Sequence, residues 1–344
     1  MNKRLLQVAG QFLKAWARLV GPLAGLVLVI ETGGCASGRP SPLLVEHPVA
    51  TVPEITSDQG NSLKLVTYNI WGLPSWMTGA RPGRYPRIAR ELERLDPDLI
   101  LLQEAWTANA RKSAPASGLW SIARAAGQHT FFQQSGLVTL SRFPILGGRF
   151  YPFSRAVFPD RFVNKGVLKV TVQLPSGRVL NVWNVHLQDG GSPEIRRSQI
   201  HELVSRLHAA EDGQVADVVG GDFNCTPESS LYRELANSLG PSVQQTSGAN
   251  RFVTYDGLSG RPGAGQTLDY IFVKGRTPFQ NPQAEQRVAF AAASLDQRLS
   301  DHLGIEAVVN LSAGLGLPRA IRPMAQRVQL TSIVAGQAIY AGGE

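Results

Sequence analysis

The sequence predicts an α/β fold in which two packed sheets carry helices on their outer faces. Three observations support this fold class: predicted strands outnumber predicted helices, hairpins are mixed with crossover connections, and polar residues recur where apolar runs end. The chain has 344 residues, of which 43% are hydrophobic, so it is long enough to bury a large core.

Short apolar or alternating runs bounded by turn residues predict the strands. These runs are residues 63–67, 98–102, 137–140, 167–172, 179–185, 215–219, 267–273 and 303–309. The runs 167–172 and 179–185 are predicted to form an antiparallel hairpin, because a Pro-Ser-Gly turn separates them. Helical spacing of apolar residues predicts helices over 85–95, 119–126 and 193–207. A further helix is predicted to start with Thr226 as its N-cap.

The ends of the chain differ in composition from this folded body, which we place at residues 63–311. Residues 1–35 resemble a bacterial lipoprotein signal, with basic residues, a short apolar stretch and small residues before Cys35, the candidate lipidation site. A plain cleaved signal and an uncleaved anchor are the alternatives. Residues 36–62 are rich in proline and predict a tether, whereas residues 312–344 form a tail without an assigned role. We therefore expect an exported protein, anchored facing the periplasm or cell surface, or secreted if Cys35 carries no lipid.

The net charge suggests the class of partner, and the cysteine content excludes two kinds of site. The formal net charge is +8, which suits a phosphate-bearing partner such as an anionic membrane or nucleic acid. The positive residues form no run, so the charge alone is weak support. Cys35 and Cys225 are the two cysteines, too few for a disulfide framework or a structural zinc site.

The stretch from Val215 to Ser230 places acidic and amide side chains directly after a buried apolar run. Asp222 and Asn224 are two residues apart, so an extended chain would point both to the same side. Polar residues occur at six strand ends in total: Asn69, Glu104, His186, Asp222 with Asn224, Asp269, and Asp301 with His302. Oxygen ligands suit a hard cation such as Mg²⁺, and histidines backed by carboxylates suit proton transfer. Together these residue types indicate metal-assisted hydrolysis of a phosphate ester.

Eight motifs in order also carry a resemblance to a known family. They are YNIWGLP (68–74), LLQEAW (101–106), SGLVTLSRFPI (135–145), NKG (164–166), NVHLQ (184–188), GGDFN (220–224), LDYIF (268–272) and SDH (300–302). The series resembles the endonuclease/exonuclease/phosphatase superfamily, which implies a four-layer α/β sandwich of two mixed sheets flanked by helices. Within it the motifs resemble the neutral sphingomyelinases. Trp71 stands where the apurinic endonucleases have an aspartate, and Gly221 stands where the inositol polyphosphate phosphatases usually have an aromatic residue.

The resemblance implies a metal site and a base. Glu104, assisted by Asn69, would hold Mg²⁺, for which Mn²⁺ or Co²⁺ could substitute, and Asp301 would help to bind the metal or polarise this site. Asp222, together with His302, would deprotonate the attacking water.

The resemblance also implies residues that orient groups and bind phosphate. Asp269 would orient His302, and His186 would stabilise charge on the phosphoryl oxygens. Asn224 would hydrogen-bond the phosphate or the water, and Asn164 and Lys165 would face the substrate phosphate.

The predicted function is therefore hydrolysis of sphingomyelin, or a related phospholipid, to ceramide and phosphocholine. The expected partner is a phospholipid membrane, and the protein is expected to be a monomer. A DNase-type nuclease, a phosphoinositide phosphatase and a non-catalytic lipoprotein that only binds are the alternatives.

Overall fold

The computed structural model describes residues 40–46, 62–74, 83–115, 121–125, 134–210, 216–242, 253–258, 265–274, 284–289 and 298–310. Cys35 with its predicted export signal, and the tail 312–344, lie outside these ranges. Among the described residues, no helix has the length and apolar character needed to cross a membrane.

The described residues form twelve strands and three α-helices. The strands are β1 (Leu43–Glu46), β2 (Ser62–Asn69), β3 (Leu99–Gln103), β4 (Ser121–Ala125), β5 (Val138–Ser141), β6 (Ile145–Pro152), β7 (Gly166–Gln173), β8 (Val179–His186), β9 (Ala216–Asp222), β10 (Asp269–Lys274), β11 (Ala284–Ala289) and β12 (Gly304–Asn310). The helices are α1 (Arg84–Leu95), α2 (Pro193–Ala209) and α3 (Ser230–Leu239).

The strands form two mixed sheets. The seven-stranded sheet has the order β1-β4-β5-β3-β2-β12-β11, and the five-stranded sheet has the order β10-β9-β8-β7-β6. One parallel pair lies inside each sheet, β2 with β3 and β8 with β9, and the remaining neighbours are antiparallel. The predicted hairpin of β7 and β8 is confirmed.

Alternation along the strands divides the apolar side chains among the layers. On β8, Leu180 and Val182 enter the core between the sheets, whereas Trp183 and Val185 face outward and pack with the apolar faces of α2 and α3. Helix α1 covers the outer face of the seven-stranded sheet in the same way. The order is therefore helix, sheet, sheet, helix, and the predicted α/β sandwich is confirmed.

A polar contact crosses the apolar core between the sheets. Asn184 on β8 is fully buried, and its Nδ2 donates to the carbonyls of Leu102 (3.0 Å) and Val138 (3.0 Å) in the opposite sheet. Gln103 Nε2 donates to Asn184 Oδ1 at 2.8 Å. Every one of these groups would be costly to bury without a partner, so the contact fixes how the two sheets align.

The two glycines before Asp222 let β9 lie close to the opposite sheet and to the neighbouring strand β8. A Cβ at Gly220 would lie 2.7 Å from Leu101 Cδ1 of the opposite sheet. Gly221 has φ +150, and a Cβ there would lie 1.9 Å from the Val185 carbonyl oxygen. A side chain at Gly221 would push β9 away from β8, and with it the residues that follow, whereas one at Gly220 would press on the Leu101 side chain.

Two predicted helix assignments are wrong. Residues 119–126 were expected to be helical, but Ser121–Ala125 form β4, in which Ser121, Ala123 and Ala125 are buried at a period of two. The helix expected to start at Thr226 begins instead at Ser230. Ser229 is its N-cap, because its hydroxyl accepts the Tyr232 N–H, while Thr226 supplies a carbonyl to the preceding turn.

Strands also occur where none was predicted. Leu43–Glu46, inside the expected tether, form β1 and pair with β4 from Leu43–Ala125 to Glu46–Ile122. The sheet therefore begins before residue 63. Leu43 and Val45 pack against the inner core while their neighbours are exposed, an alternation too short to predict a strand on its own. Strands β6 and β11 were likewise not predicted.

Candidate active site

The polar strand ends meet at one edge of the sandwich. Asn69 ends β2, Glu104 follows β3, His186 ends β8 and Asp222 ends β9. Since β2 and β3 are parallel, as are β8 and β9, these are carboxyl ends that lie side by side. Asp269 opens β10 and is paired directly with Asp222 across the antiparallel ladder.

Asn69 connects the two sheets at this edge through its carboxamide. Its Nδ2 lies 3.2 Å from Glu104 Oε1 in its own sheet and 3.0 Å from Asp222 Oδ2 in the other sheet. The Asn69 Oδ1 accepts the Trp71 N–H at 3.0 Å, which fixes the orientation of the amide. One buried amide therefore brings two carboxylates together.

His186 is buried beside both carboxylates. Its Nε2 lies 3.6 Å from Asp222 Oδ2 and 4.0 Å from Glu104 Oε1, and its ring lies 6.2 Å from that of Trp106. Burial holds the pKa of His186 well below its usual value, and the positive charges of Lys165 and His302 lower it further. His186 is consequently a neutral imidazole that can donate one hydrogen bond without adding charge.

His302 has the opposite electrostatics. Its Nδ1 lies 2.9 Å from Asp269 Oδ2, and its Nε2 lies 3.7 Å from Asp222 Oδ2. Burial acts to lower the pKa of this ring, but the nearby carboxylates of Asp269, Asp222 and Asp301 outweigh it and raise the pKa well above the usual value. The ring is therefore a cation between two acids.

The carboxyl groups of Glu104 and Asp222 both have raised pKa values. Burial raises the pKa of Glu104 to about 7, and the charge of Asp301 adds to the effect. Burial raises the pKa of Asp222 to about 7 as well, with Asp269 as the next cause. Glu104 Oε2 is buried and has no hydrogen-bond partner among the described residues. An orphaned carboxylate oxygen in an acidic cluster fits a hard divalent cation, which would favour the ionised forms.

Two sets of residues at this edge could hold a cation. Asp222, Asp269 and His302 each offer one ligand atom, all within 4.8 Å of one another. In that set His302 Nδ1 is already engaged with Asp269, so the three residues form a hydrogen-bonded series that suits proton handling. Glu104 and Asn69 are the second set; because the first set is engaged in that hydrogen bond and Glu104 Oε2 has no hydrogen-bond partner among the described residues, we favour the second set as the cation site.

Left-handed backbone occurs at three positions of the edge. Trp71 (φ 50), Glu104 (φ 59) and Asn224 (φ 48) are three of the five non-glycine residues with positive φ in the described part of the chain.

The expectation that Asp222 and Asn224 share one side of an extended strand is wrong, because β9 ends at Asp222. The Asn224 N–H instead bonds Asp222 Oδ1 at 3.0 Å, and its Nδ2 donates to the Leu187 carbonyl.

Lys165 lies near the site residues in a buried ion pair. Its Nζ is 2.8 Å from Asp160 Oδ2 and donates to the Leu187 carbonyl at 3.1 Å. Burial lowers the pKa of Lys165, but Asp160, Asp189 and Glu104 outweigh this and raise it. Asn164 is half-buried, and its N–H donates to the Gln134 carbonyl at 3.2 Å. The contact of Asn164 and Lys165 with a substrate phosphate stays a prediction.

Ser300 joins the last motif to β2. Its Oγ lies 2.8 Å from the Asn69 carbonyl and 3.2 Å from Asp301 Oδ1, and it accepts the His302 N–H at 3.3 Å. Burial raises the pKa of Asp301. Asp301 and His302 are thus held against the strand that presents Asn69.

Arg84 is a buried residue at this edge that the sequence did not reveal. Its guanidinium donates to the carbonyls of Ile70 (2.5 Å) and Leu299 (2.5 Å), and also to the Trp71 carbonyl. It therefore ties the loop after β2 to the loop that leads into Ser300. Its position at the start of a charged helix gave no signal of this role.

Comparison with curated proteins identifies relatives. A Drosophila melanogaster "Putative neutral sphingomyelinase" is 24% identical over 271 residues, covering 72% of this chain and 61% of the relative. The "Inositol phosphosphingolipids phospholipase C" of Schizosaccharomyces pombe is 28% identical over 198 residues, covering 53% and 46%. This chain therefore spans less than two thirds of the length of either relative.

Solved structures share the fold at low identity. Sphingomyelinase C from Streptomyces griseocarneus has a TM-score of 0.56 at 20% identity, with 72% of this chain and 99% of that chain covered. A Staphylococcus aureus beta toxin variant with bound magnesium ions has a TM-score of 0.57 at 20% identity and the same coverage. A humanised D. rerio TDP2 also matches, with a TM-score of 0.56 at 17% identity, covering 72% of this chain and 99% of that chain. These likenesses show the fold alone.

The family assignment rests on the sequence of the folded body. The model of the Endonuclease/Exonuclease/phosphatase family matches residues 66–302, which include every polar strand end described above. That span is more than half of the chain. The chain therefore belongs to the endonuclease/exonuclease/phosphatase family.

Proposed function

We propose that this protein is a divalent-cation-dependent phosphodiesterase that hydrolyses sphingomyelin to ceramide and phosphocholine. The observation that carries the proposal is that Glu104, Asn69, His186, Asp222 and His302 meet at one edge, where each has a polar atom within 4.0 Å of another member of the group. The sphingolipid substrate is supported by the similarity to the Drosophila and Schizosaccharomyces proteins.

The orphaned oxygen of Glu104 indicates where a cation would bind. Glu104 and Asn69 would hold it, with Asp301 close by. A bound divalent cation supplies positive charge that stabilises the phosphoryl oxygens as the reaction proceeds. Mg²⁺ fits the oxygen-rich ligands, and Mn²⁺ or Co²⁺ would fit the same donors.

Asp222 is the residue suited to accept the proton of the attacking water. Its pKa of about 7 matches a general base that works near neutral pH. The cationic ring of His302, 3.7 Å away, stabilises the ionised form of this carboxylate. Asp269 holds His302 in place through the 2.9 Å hydrogen bond to Nδ1.

His186 and the neighbouring cation Lys165 would act on the phosphate. The neutral His186 ring directs Nε2 toward the two carboxylates, where a phosphoryl oxygen would lie. A donor aimed at developing negative charge contributes about 3–4 kcal/mol to transition-state stabilisation in comparable sites. Lys165 supplies positive charge that acts on Glu104, His186 and Asp222 through space, and Asn164 adjoins it in the chain.

The decisive experiment is phosphocholine release from sphingomyelin vesicles by the full chain, with Mg²⁺ or with EDTA. His302→Ala is the test variant, and His201→Ala, at a histidine exposed on α2, is the matched control. Release that needs Mg²⁺, is lost in His302→Ala and persists in His201→Ala supports the proposal. Equal release by both variants, or no release at all, contradicts it.

A nuclease is the second candidate because the net charge is +8. Supercoiled plasmid, assayed beside the vesicles, separates the two functions. Plasmid nicking without phosphocholine release would assign the protein to the nucleases, and a steep loss of nicking with salt would be expected.

We further propose that the protein is exported and anchored through lipid on Cys35, and that it is monomeric. The residues before Cys35 support the anchor. Labelled fatty acid should enter the wild-type protein and not Cys35→Ala. Light scattering of the purified protein should give the mass of one chain.

A further inference from the structure

The hydrogen bond between Asp269 and His302 joins residues from different sheets. Asp269 opens β10 at the margin of the five-stranded sheet, whereas His302 precedes β12 of the seven-stranded sheet. Neither residue is held opposite the other by a shared ladder of backbone hydrogen bonds. A third element of the chain contacts the surroundings of both residues and can therefore contribute to their 2.9 Å separation.

Residues 254–256, which we call the bridging segment, make these contacts. On the Asp269 side, the N–H groups of Thr254 and Tyr255 donate to the Gln266 carbonyl at 3.0 and 2.9 Å. On the His302 side, the Leu303 N–H donates to the Thr254 carbonyl at 2.6 Å. Tyr255 forms bridges with both Gln266 and His302. The bridging segment thus runs between the chain that leads into β10 and the chain that leads into β12.

The Thr254 side chain adds a direct hold on Asp269. Its Oγ1 accepts the Leu268 N–H at 2.9 Å and the Asp269 N–H at 3.1 Å, and Thr254 is fully buried. A hydroxyl has two acceptor lone pairs, so it can satisfy both N–H groups. The backbone from which the Asp269 carboxylate projects is therefore fixed by one hydroxyl.

Tyr255 limits the position of His302 from another direction. The two ring centroids are 4.8 Å apart at an angle of 53°. The His302 ring thus has the Asp269 carboxylate at Nδ1 and an aromatic face beside it. Successive residues of one segment fix the backbone of Asp269 and restrict the ring of His302.

We propose that Thr254 is a positioning residue that sets the Asp269–His302 geometry through its hydroxyl. The expected effect on catalysis rests on the proposed function, but the effect on the hydrogen bond does not. Thr254→Val keeps the shape of the side chain and removes the acceptor, whereas Thr254→Ser keeps the oxygen. Thr171→Val is the matched control, because it removes a hydroxyl that bonds Asn181 between β7 and β8.

The kinetic test compares these variants on sphingomyelin below their melting temperatures. Thr254→Val is expected to lower kcat by about 10- to 100-fold with little change in KM, as loss of a group that orients a catalytic residue does. Thr254→Ser and Thr171→Val are expected to stay close to wild type. The inference is overturned if Thr254→Val keeps wild-type kcat, or if Thr254→Ser is impaired as strongly.

A spectroscopic test is independent of turnover. In protein labelled with ¹⁵N-histidine, the Nδ1 proton of His302 can be assigned among the six histidines by its absence from His302→Asn. Thr254→Val is expected to shift or broaden this resonance, and Thr171→Val to leave it unchanged. If the wild-type protein hydrolyses nothing, the proposed function fails, and an unchanged resonance in Thr254→Val would then overturn the positioning role as well.

Discussion

Replacing Glu104 with glutamine should stabilise the protein in the absence of divalent cations while abolishing its activity. The pKa of Glu104 is raised from 4.5 to about 7, so the folded state disfavours the ionised form. This difference corresponds to about 3 kcal/mol once the pH exceeds both values. Glutamine has the same shape and can still accept from Asn69, but it carries no charge to bury.

The direction of the pH dependence follows from the raised pKa. Between 4.5 and about 7 the unfolded chain loses the Glu104 proton while the folded protein keeps it, so wild-type stability falls as the pH rises through this window. Glu104→Gln lacks this loss. The stability gain should therefore reach about 3 kcal/mol near pH 8 and shrink below about 1 kcal/mol near pH 5.

Chemical denaturation in EDTA at both pH values measures the gain, and phosphocholine release measures the loss of function. Glu93→Gln is the control, since Glu93 is exposed on α1 and should change neither quantity. Added Mg²⁺ should raise the stability of the wild type and not that of Glu104→Gln. A variant that is no more stable than wild type near pH 8 in EDTA, or one that remains active, would refute the reasoning.

Further variants test other contacts of the site. Asp269→Asn should lower the pKa of His302, because it removes the carboxylate charge that raises it, and should reduce kcat by about 100-fold or more. A pH series of ring chemical shifts measures the pKa and steady-state kinetics measure kcat; an unchanged His302 pKa would contradict the prediction. Lys165→Met should destabilise the protein by about 3–5 kcal/mol, because it leaves the buried Asp160 carboxylate without its cation. Urea denaturation measures the change, and an unchanged free energy of unfolding would exclude a stabilising role for the ion pair. Arg84→Lys should cost about 2 kcal/mol and weaken activity, because lysine cannot span the same carbonyls; wild-type melting and turnover would argue against the bridge.

The sequence predicted the elements whose periodicity is long and regular. Helix α1 was predicted because Ile88, Leu92 and Leu95 repeat at helical spacing, and the structure buries all three. Strand β4 was not, because five residues containing two alanines and an arginine satisfy a helical pattern equally well. Strand β1 is shorter still, and its partner is about eighty residues further along the chain.

The candidate site was predictable where an apolar run ends in a polar side chain, as at His186 and Asp222. The residues that support it were not predictable from local pattern. Arg84 reaches the Leu299 carbonyl 215 positions away, and Thr254 accepts from backbone N–H groups, which leave no trace in a sequence. The tertiary fold, and not the local sequence, brings these partners together.

The buried contact of Asn184 with Gln103 has a consequence for how the protein loses activity. Asn184 is two residues before His186, and Gln103 immediately precedes Glu104, so the amides that register one sheet on the other adjoin the reactive side chains. If one sheet packed on the other shifted sideways by one strand, these amides would lose their hydrogen-bond partners. The same shift would separate His186 from Glu104. Partially unfolded species should therefore be inactive, and inactivation should coincide with the opening of the core during denaturation.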